Sequence, residues 1–495
     1  MLLLLLIAAT VDALQPNVAE VQGYTRLRSC KNSTLYQIQA STDYDTNPYL
    51  IHLVGSRYDI GYAYGYLMSA EIEFDYNALL NSLLGDKWYD PLVEAALGDA
   101  LDWQWRDYLS RQLPAQYMLE LQGIADGAAA QGCQACGSYI IRAVVLANAP
   151  GDVQDFVFIL LREMYPNLNA TLPPRAKDAG IGPSKHGLQC SMFAVWGNRT
   201  QDSALFSARN LDWNKDTGIN KNKLVTVTVP DDGGNPSVQF GFVGLWGALT
   251  GMSSKGLTVH EANLEEDEIT FEGFPWVLRL RYIMEYASDI SEAKRLWEDT
   301  NNTVGFNHMV ASGPDAMAYA QGQAGPVALA METMYEYTAY FADNDPREAS
   351  ATYTPSGGSP VHIGSPLAEA VWRTNHGYDP VIMKNYEWSL SPSSWSVQRY
   401  MFIHEALQSY ENGNIKIGYM EALNITAIAG DKGDHAYTCE DNTDGSNVLS
   451  VTFQPEDHIA YVAWERSSGA NWRPATCSTY IKIDFTAWFQ PNPPF

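Results

Sequence analysis

The chain has 495 residues, of which 46% are hydrophobic, and its formal net charge at pH 7 is −26. This length allows a large core, and no linker rich in proline, glycine and serine separates independent domains. The excess of carboxylates argues against nucleic acid as a partner, because phosphate binding requires lysine and arginine. The same charge is compatible with simple solubility and with an acidic compartment.

The N-terminus carries a short apolar run from Leu2 to Ala9, followed by small residues up to Ala13. The run is too short to span a bilayer, which needs ~20 residues. We therefore expect residues 1–13 to be a signal peptide, although no lysine or arginine precedes the run.

Five glycosylation sequons follow the apolar run, and they begin at Asn32, Asn169, Asn198, Asn301 and Asn424. Each sequon alone is a weak signal. Together with the apolar N-terminus they predict a glycoprotein of the secretory route, either secreted or lysosomal.

Six cysteines raise the question of disulfide pairing, and three disulfides are the ordinary expectation for a secreted chain. A free catalytic Cys190 would leave one of the other five unpaired. Cys439 and Cys477 are the preferred pair, since both lie near the C-terminus. Cys133 and Cys136 either bridge locally or supply one partner for Cys30. A zinc site would need a second closely spaced pair, which the sequence lacks.

The segment before Cys190 has mainly helical periodicity. Apolar residues recur at three-to-four spacing from Ser56 to Met68 and from Tyr117 to Ala128, which predicts helices. Residues 166–187 then combine four prolines, several glycines and a sequon. This stretch is predicted to be an exposed loop of the kind in which chains are easily cut.

After Cys190 the periodicity becomes that of strands, which are then interrupted by helices and resume towards the C-terminus. Strands are predicted at 190–197, 204–213, 224–229, 238–249, 256–263, within 306–342, at 448–453 and at 458–464, and helices at 275–287, 290–301 and 392–410. Strands, helices and strands in this order predict an α+β layered sandwich.

Cleavage between Gln189 and Cys190 would place a cysteine at a new N-terminus. That residue would hold both a thiol and an α-amine, whose usual pKa is about 8. The amine can serve as the base for its own thiol, so no histidine is required. The nine histidines of the chain form no recognisable triad.

Several patches in a fixed order then resemble a known family. They are Gly55–Gly65, Glu120–Ala128, Cys190, Arg209–Trp213, Lys255–Asn263, Arg373–His376 and Ser393–Arg399. In this set the chain resembles the cysteine N-terminal-nucleophile hydrolases, especially the isopenicillin N acyltransferase-like branch, whose relatives include acid ceramidase. The resemblance runs from about Leu53 to Arg399.

The resemblance implies that Cys190 attacks the carbonyl carbon of an amide. Asp212 would accept hydrogen bonds from the new α-amine and aim it at the thiol. Arg209 would favour the thiolate, because a nearby positive charge lowers a thiol pKa. Arg209 and Asp212 lie on opposite faces of a regular strand, and a turn at Asn210 and Leu211 could bring both to the thiol.

The remaining implied roles concern the charge that develops on the substrate. Asn375 would donate its side-chain amide to the oxyanion, and Asn263 would assist through its side chain or backbone. Arg399 would support the site electrostatically. Glu261 and His376 flank these positions and are weaker candidates for substrate contact.

Each candidate has an ordinary structural alternative. Cys190 could be a structural thiol or half of a disulfide, and Arg209 with Asp212 could be a surface ion pair worth ~0–1 kcal/mol. The two asparagines could cap turns, and Arg399 could lie on a solvated helix face. The joint arrangement favours the catalytic interpretation. The 19 residues that separate Cys190 from Arg209 are more than this resemblance would lead us to expect.

The resemblance implies a four-layer αββα sandwich with a helical N-terminal segment. Residues 14–189 would remain as a small subunit associated with a catalytic subunit of residues 190–495. The predicted reaction is hydrolysis of a linear N-acyl amide through an acyl-thioester on Cys190. The substrate would be small, with a lipid acyl group and peripheral membrane contact both compatible, and no metal or organic cofactor is required.

Three other functions are alternatives to this one. An acyltransferase of the same family would use an amine in place of water. A catalytically silent secreted glycoprotein would bind a ligand with the same fold. A serine lipase would need a G-x-S-x-G nucleophile elbow between a strand and a helix, and the sequence has none.

Overall fold

The computed structural model describes residues 16–84, 91–148, 189–213, 217–264, 270–354, 359–384, 386, 390, 394–430, 446–466 and 471–493. Its strands, in chain order, are β1 (Val18–Cys30), β2 (Ser33–Ala40), β3 (Tyr49–Gly55), β4 (Gln189–Val195), β5 (Phe206–Asp212), β6 (Lys223–Pro230), β7 (Ser237–Phe242), β8 (Thr250–Ser253), β9 (Leu257–Asn263), β10 (Phe306–Ser312), β11 (Ala328–Met334), β12 (Tyr337–Phe341), β13 (Thr352–Tyr353), β14 (Val361–His362), β15 (Ala370–Arg373), β16 (Asn447–Gln454), β17 (Ile459–Trp464) and β18 (Tyr480–Asp484).

The helices fall into an N-terminal group and a group that alternates with the later strands. They are α1 (Arg57–Leu84), α2 (Pro91–Asp107), α3 (Ala115–Ala129), α4 (Cys136–Ala147), α5 (Trp276–Tyr286), α6 (Ile290–Glu298), α7 (Gly313–Ala320), α8 (Pro346–Ala349), α9 (Pro380–Lys384), α10 (Trp395–Asn412) and α11 (Tyr419–Ala429). Within the described ranges, none of these helices is long and apolar enough to cross a membrane.

Two sheets share the long first strand. Val18–Glu20 of β1 pair with β18, whereas the rest of β1 pairs with β2. Sheet I has the order β1-β18-β17-β16-β5-β4-β15, and sheet II has the order β1-β2-β3-β6-β7-β8-β9-β10-β11-β12. The pairs β1–β18 and β3–β6 are parallel.

The sheets pack face to face between two helical layers. Strands β4 and β5 of sheet I contact β9 of sheet II across the interface. Helices α10 and α11 pack on sheet I, and α1, α5 and α6 pack on sheet II. Burying both faces of each strand explains why β5, β7, β9 and β10 are buried along their whole length. The predicted α+β fold, a four-layer αββα sandwich, is confirmed.

The N-terminal segment contributes strands as well as helices. Sequence periodicity predicted helices from residue 56 onwards, and α1, α3 and α4 lie there. It did not identify β1 to β3, which lie inside the sheet order between β18 and β6. Residues 149–188, which include the predicted loop at 166–187, lie outside the described residues.

Helices α1 and α3 approach each other at four glycines. A Cβ atom placed on Gly61, Gly65, Gly123 or Gly127 would lie 1.9 to 2.3 Å from a backbone carbonyl oxygen of the opposite helix. Real Cβ atoms do not approach so closely, so only glycine permits this contact. Four of the five glycines in the two N-terminal patches that resemble the family, all except Gly55, therefore serve helix packing.

A buried ion-pair network joins the N-terminal helices to α5. Arg281 of α5 donates to both carboxylate oxygens of Glu120 on α3, at 2.6 and 2.7 Å, and pairs with Glu285 at 2.7 Å. Arg57 of α1 pairs with the same Glu285 at 2.8 Å. Burial raises the pKa of Glu120, but the arginines outweigh this effect and the pKa is lowered.

The C-terminal third departs most from the sequence prediction. Helix α7 interrupts the predicted strands of 306–342, because Ser312 caps a new helix through the backbone N–H of Asp315. Helix α11 and strand β18 were not predicted at all. Helix α11 is buried along most of its length and shows no clear apolar stripe, and β18 has only five residues, so neither gives a strong periodic signal.

Of the two alternatives for Cys133 and Cys136, the structure has the local bridge between them. Cys133 and Cys136 form a disulfide with a Cα–Cα distance of 5.6 Å, and Cys30 and Cys190 are free thiols. Cys477 is disulfide-bonded. Its preferred partner Cys439 lies outside the described residues, so that pair stays a prediction.

Three sequon asparagines, Asn32, Asn198 and Asn301, are exposed. Asn424 is buried in α11 and is 9% exposed, so the folded chain has no room for a glycan there. Asn169 lies outside the described residues.

We predict that Gly65→Ala destabilises the chain. Alanine gains about 1 kcal/mol in helix propensity over glycine, but its Cβ would lie 2.1 Å from the Ile124 carbonyl oxygen, and overpacking typically costs ~1–3 kcal/mol or more. Urea unfolding should show a lower midpoint. Gly23→Ala is the control, since no atom lies within 4 Å of a Cβ there. An equal midpoint for both variants would contradict the close helix contact.

Candidate active site

Cys190 lies at the second residue of β4, paired with Leu211 of β5. In this antiparallel pair Arg209 is opposite Met192, which places Arg209 on the same face as Cys190. Asp212 is on the other face, as the regular strand predicted. The suggested turn at residues 210 and 211 is wrong, because β5 continues without a break to Asp212.

The backbone of Cys190 is held from both sides. Its N–H donates to Oδ1 of Asn375 at 2.9 Å, and its carbonyl oxygen accepts from Nη1 of Arg399 at 2.6 Å. Arg399 also donates through Nη2 to the same Oδ1 of Asn375 at 2.6 Å. Asn375 follows β15, which lies next to β4, and Arg399 lies on α10. The geometry therefore fixes the nitrogen that cleavage would convert to an α-amine.

Arg209 contacts the thiol directly. Its Nη2 lies 3.4 Å from Sγ of Cys190 and 2.6 Å from a carboxylate oxygen of Glu261, and its Nε donates to the Glu261 carbonyl oxygen at 2.7 Å. Glu261 is on β9, so this pair bridges the two sheets. Nη1 of Arg209 is buried without a hydrogen-bond partner among the described residues. This one guanidinium nitrogen, Nη1, is thus available to a ligand beside the thiol.

Asp212 is held by two groups at the end of β5. Its carboxylate lies 3.6 Å from Nη1 of Arg399 and accepts from Nδ2 of Asn447 at 2.8 Å. Asn447, at the start of β16, in turn accepts from the backbone N–H of Thr476. Sequence reasoning missed Asn447, since no motif marks the chain beyond Arg399.

Asn263 and Asn375 meet at the end of β9. The side-chain Nδ2 of Asn375 donates to the backbone carbonyl of Asn263 at 2.8 Å. In the uncut chain, therefore, the amide group assigned to the oxyanion is engaged by Asn263, and the oxygen of Asn375 faces the nitrogen of Cys190. The structure brings all six candidate residues together, and their catalytic roles remain predictions.

The thiol of Cys190 is protonated in this environment. Burial raises its pKa to about 12, and the partial compensation from Arg209 is opposed by the carboxylates of Glu261 and Asp212. Burial also raises the pKa of Glu261, again partly offset by Arg209. The uncut chain thus holds its thiol in the less nucleophilic form.

Of the two weaker candidates for substrate contact, Glu261 lines a cleft and His376 does not. Glu261 lines a cleft beside the site, which agrees with the suggestion of substrate contact, and its ion pair with Arg209 was not predicted. His376 is buried, its Nδ1 lies 2.8 Å from Oγ of Ser396, and it is not among the residues that line that cleft. Burial and two nearby arginines lower the pKa of His376 to about 3.

An apolar cleft has Leu211 and Glu261 among its lining residues. Leu211 is the strand partner of Cys190, and Glu261 is the ion-pair partner of Arg209, which contacts the thiol. The walls come from both parts of the chain, with α1 and α4 on one side and residues 242–249 and Trp276 on the other.

Two ordinary alternatives are excluded by burial. Arg209 and Asp212 are 1% and 0% exposed and do not form a surface ion pair, because the carboxylate partner of Arg209 is Glu261. Arg399 is fully buried on α10 and does not lie on a solvated face. Cys190 is not in a disulfide.

The αββα fold with a buried cysteine at a strand start is that of the N-terminal-nucleophile hydrolases. The chain belongs to the acyl-coenzyme A:6-aminopenicillanic acid acyl-transferase family, whose model matches residues 199–468. The predicted membership of this enzyme class, whose relatives act on amides, is confirmed. The matched segment contains five of the six candidate residues and begins after Cys190.

Two curated relatives match about 60% of this chain. An uncharacterized protein of Archaeoglobus fulgidus is 23% identical over 299 residues, and protein dcd1A of Dictyostelium discoideum is 24% identical over 320 residues. The chain covers 46% and 61% of the lengths of these relatives.

The solved structures that are similar to this chain have low TM-scores. The Caenorhabditis elegans ortholog of N-acylethanolamine-hydrolyzing acid amidase gives a TM-score of 0.34 at 11% identity, covering 54% of this chain and 93% of its own. Penicillin V acylase from Agrobacterium tumefaciens gives 0.34 at 11% identity, covering 60% and 86%. A mutant of conjugated bile acid hydrolase from Clostridium perfringens gives 0.34 at 14%, covering 59% and 92%.

We predict that Cys190 resists alkylation in the uncut chain. With a pKa of about 12, about one thiol in ten thousand is ionised at pH 8, and the residue is buried. The half-buried Cys30 should react first with iodoacetamide, as intact mass and peptide mapping would show. A Cys30→Ser variant should stay unlabelled at neutral pH and label faster as the pH rises. Rapid labelling of Cys190 at pH 7 would contradict this.

Proposed function

We propose that the chain is an autoproteolytically activated cysteine amidohydrolase, which cleaves a linear N-acyl amide through an acyl-thioester on Cys190. The observation that carries the proposal is the contact set of Cys190. Arg209 lies at its thiol, and Asn375 and Arg399 hold its backbone. Polar groups fixed on both the thiol and the backbone of one buried cysteine support chemistry at that residue.

The first step is release of the nitrogen of Cys190. Attack of the thiol on the Gln189 carbonyl, transfer of the acyl group to sulfur and hydrolysis of that thioester would break the Gln189–Cys190 bond. The Cys190 nitrogen, which is hydrogen-bonded to Asn375 in the uncut chain, then becomes an α-amine. The usual pKa of an α-amine, about 8, suits a base for the adjacent thiol.

Catalysis would then use the same contacts. The amine removes the thiol proton, and the guanidinium of Arg209 stabilises the thiolate. Sulfur attacks the substrate carbonyl, the protonated amine returns its proton to the leaving amine, and water hydrolyses the thioester. The partnerless Nη1 of Arg209 and the amide of Asn375 are candidate donors to the oxyanion.

The cleft supports an apolar acyl group as the part of the substrate next to the thiol. Its walls are aliphatic and aromatic side chains, including Leu79, Leu249 and Trp276. Because both the N-terminal helices and the later strands line it, we propose that the two cleaved subunits stay associated. Peripheral contact with a membrane remains compatible with a lipid acyl group.

We further propose passage through the secretory route to the outside of the cell or to a lysosome. The exposed sequons at Asn32, Asn198 and Asn301 and the Cys133–Cys136 disulfide support it. Asn198 lies at the end of the β4–β5 hairpin remote from Cys190, so a glycan there would not meet the thiol.

Acyl transfer is the second candidate, favoured by the description of the family model. The two reactions share the thioester and differ in the nucleophile that resolves it. Adding a primary amine during turnover separates them. Formation of the transferred amide at the expense of the free acid would favour the transferase.

We predict that the secreted chain cleaves itself into two fragments, one of which begins at Cys190. Intact mass and N-terminal sequencing at acidic pH would detect them. A Cys190→Ala variant should remain one chain, because it lacks the nucleophile. An uncut, inactive wild-type chain under all conditions would leave the ligand-binding glycoprotein as the better interpretation.

We also predict that Asn375→Ala and Asn375→Asp both lower kcat of the cleaved enzyme by about 10²–10³, because each removes an oxyanion donor. Asn375→Asp is the informative variant, since it keeps an oxygen facing the Cys190 nitrogen. Near-wild-type kcat for Asn375→Asp would show that the oxygen of Asn375, and not its amide group, is what catalysis uses.

A further inference from the structure

One carboxyl group in the cleft has no counterpart in the proposed chemistry. Asp75 lies on α1 and lines the same cleft as Leu211 and Glu261, although it belongs to the N-terminal segment. It is 3% exposed. A carboxyl group buried among hydrocarbon is costly unless its oxygens are satisfied.

Only one of the two carboxyl oxygens of Asp75 has a hydrogen-bond partner among the described residues. Its Oδ1 accepts a hydrogen bond from Nδ2 of Asn222 at 2.7 Å. Its Oδ2 is buried and has no hydrogen-bond partner among the described residues. Two other polar groups that line the cleft are engaged elsewhere: Trp276 donates to the carbonyl oxygen of Ala147, and Glu261 pairs with Arg209.

We propose that Asp75 is a specificity residue, which binds a neutral hydroxyl group on the acyl chain of the substrate through Oδ2. The inference rests on the proposed function in that it takes the cleft as the acyl site. The substrate class would be N-acyl amides whose hydrocarbon chain carries a hydroxyl group away from the scissile carbonyl.

The protonation state of Asp75 favours a neutral partner over a cation. Its pKa is raised to about 8, mainly by burial, with the hydrogen bond from Asn222 opposing the shift and the nearby Glu71 adding to it. The group is then a carboxylic acid in acidic and neutral solution and can donate a hydrogen bond to a hydroxyl oxygen. An ammonium group would instead have to be desolvated in an apolar cleft.

A polar group with no partner also discriminates against the wrong ligand. An unsubstituted acyl chain would fill the cleft but leave Oδ2 unsatisfied, which lowers its affinity relative to the hydroxylated chain. Asp75 would thus exclude plain acyl chains as well as attract hydroxylated ones.

The test measures binding, so that it does not depend on turnover. Full-length Cys190→Ala protein, which stays uncut as in this structure, is titrated calorimetrically with the primary amide of a saturated fatty acid. The same titration is made with its monohydroxy derivatives, with the hydroxyl moved along the chain. We expect one hydroxyl position to bind about ten-fold more tightly than the plain amide.

Two substitutions in the Cys190→Ala background assign the preference. Asp75→Asn keeps a hydrogen-bonding group and should retain most of the preference, whereas Asp75→Leu should abolish it and bind the plain amide at least as well. Glu456→Gln is the matched control, because Glu456 is half-buried and has one buried carboxyl oxygen with no hydrogen-bond partner among the described residues, but it does not line this cleft. The Glu456→Gln variant should prefer the hydroxylated amide over the plain amide as strongly as the Cys190→Ala protein does.

The outcomes separate the two proposals. Equal binding of plain and hydroxylated amides, a preference that survives Asp75→Leu, or tightest binding of an amino-substituted amide would overturn the role of Asp75 and leave the amidase proposal intact. No binding of any amide would remove the cleft as the acyl site. A preference lost in Asp75→Leu, in a wild-type chain that hydrolyses no amide, would uphold the binding site and reject the enzyme.

Discussion

The candidate site depends on the buried guanidinium of Arg399, which is fully removed from solvent. Moving such an ion out of water costs several kcal/mol, and hydrogen bonds of good geometry must offset that cost. Arg399 donates to the carbonyl oxygen of Cys190 and to the side chain of Asn375, and it lies 3.6 Å from Asp212. The requirement to satisfy this one charge brings together α10, the start of β4, the end of β5 and the loop after β15.

A second buried charge repeats the arrangement across the sheet interface. Arg209 in sheet I pairs with Glu261 in sheet II, so the ion pair that holds the guanidinium beside the thiol forms only when the two sheets are packed together. Glu261, one member of this pair, also lines the apolar cleft. Assembly of the core and assembly of the site are therefore one event.

The sequence was sufficient for the features that local pattern encodes. Alternation and length predicted β4, β5, β9 and the helix α10, and the spaced patches located the six residues that the fold brings together. It could not identify Glu261 as the partner of Arg209 or Asn447 as the partner of Asp212, because those contacts join strands distant in the chain. It also missed β1 to β3, whose place between β18 and β6 is set by pairing across the whole molecule.

Strands β1 to β3 lie inside the sheet order, with β18 on one side and β6 on the other. A chain cut before Cys190 would keep these strands through sheet hydrogen bonds, helix packing and the ion pairs of Arg57 and Arg281, with no peptide link to restore them. An intact chain folds by a unimolecular process, whereas the nicked protein would refold only by encounter of two polypeptides. Its lifetime would then be governed by the rate of first unfolding and not by an equilibrium.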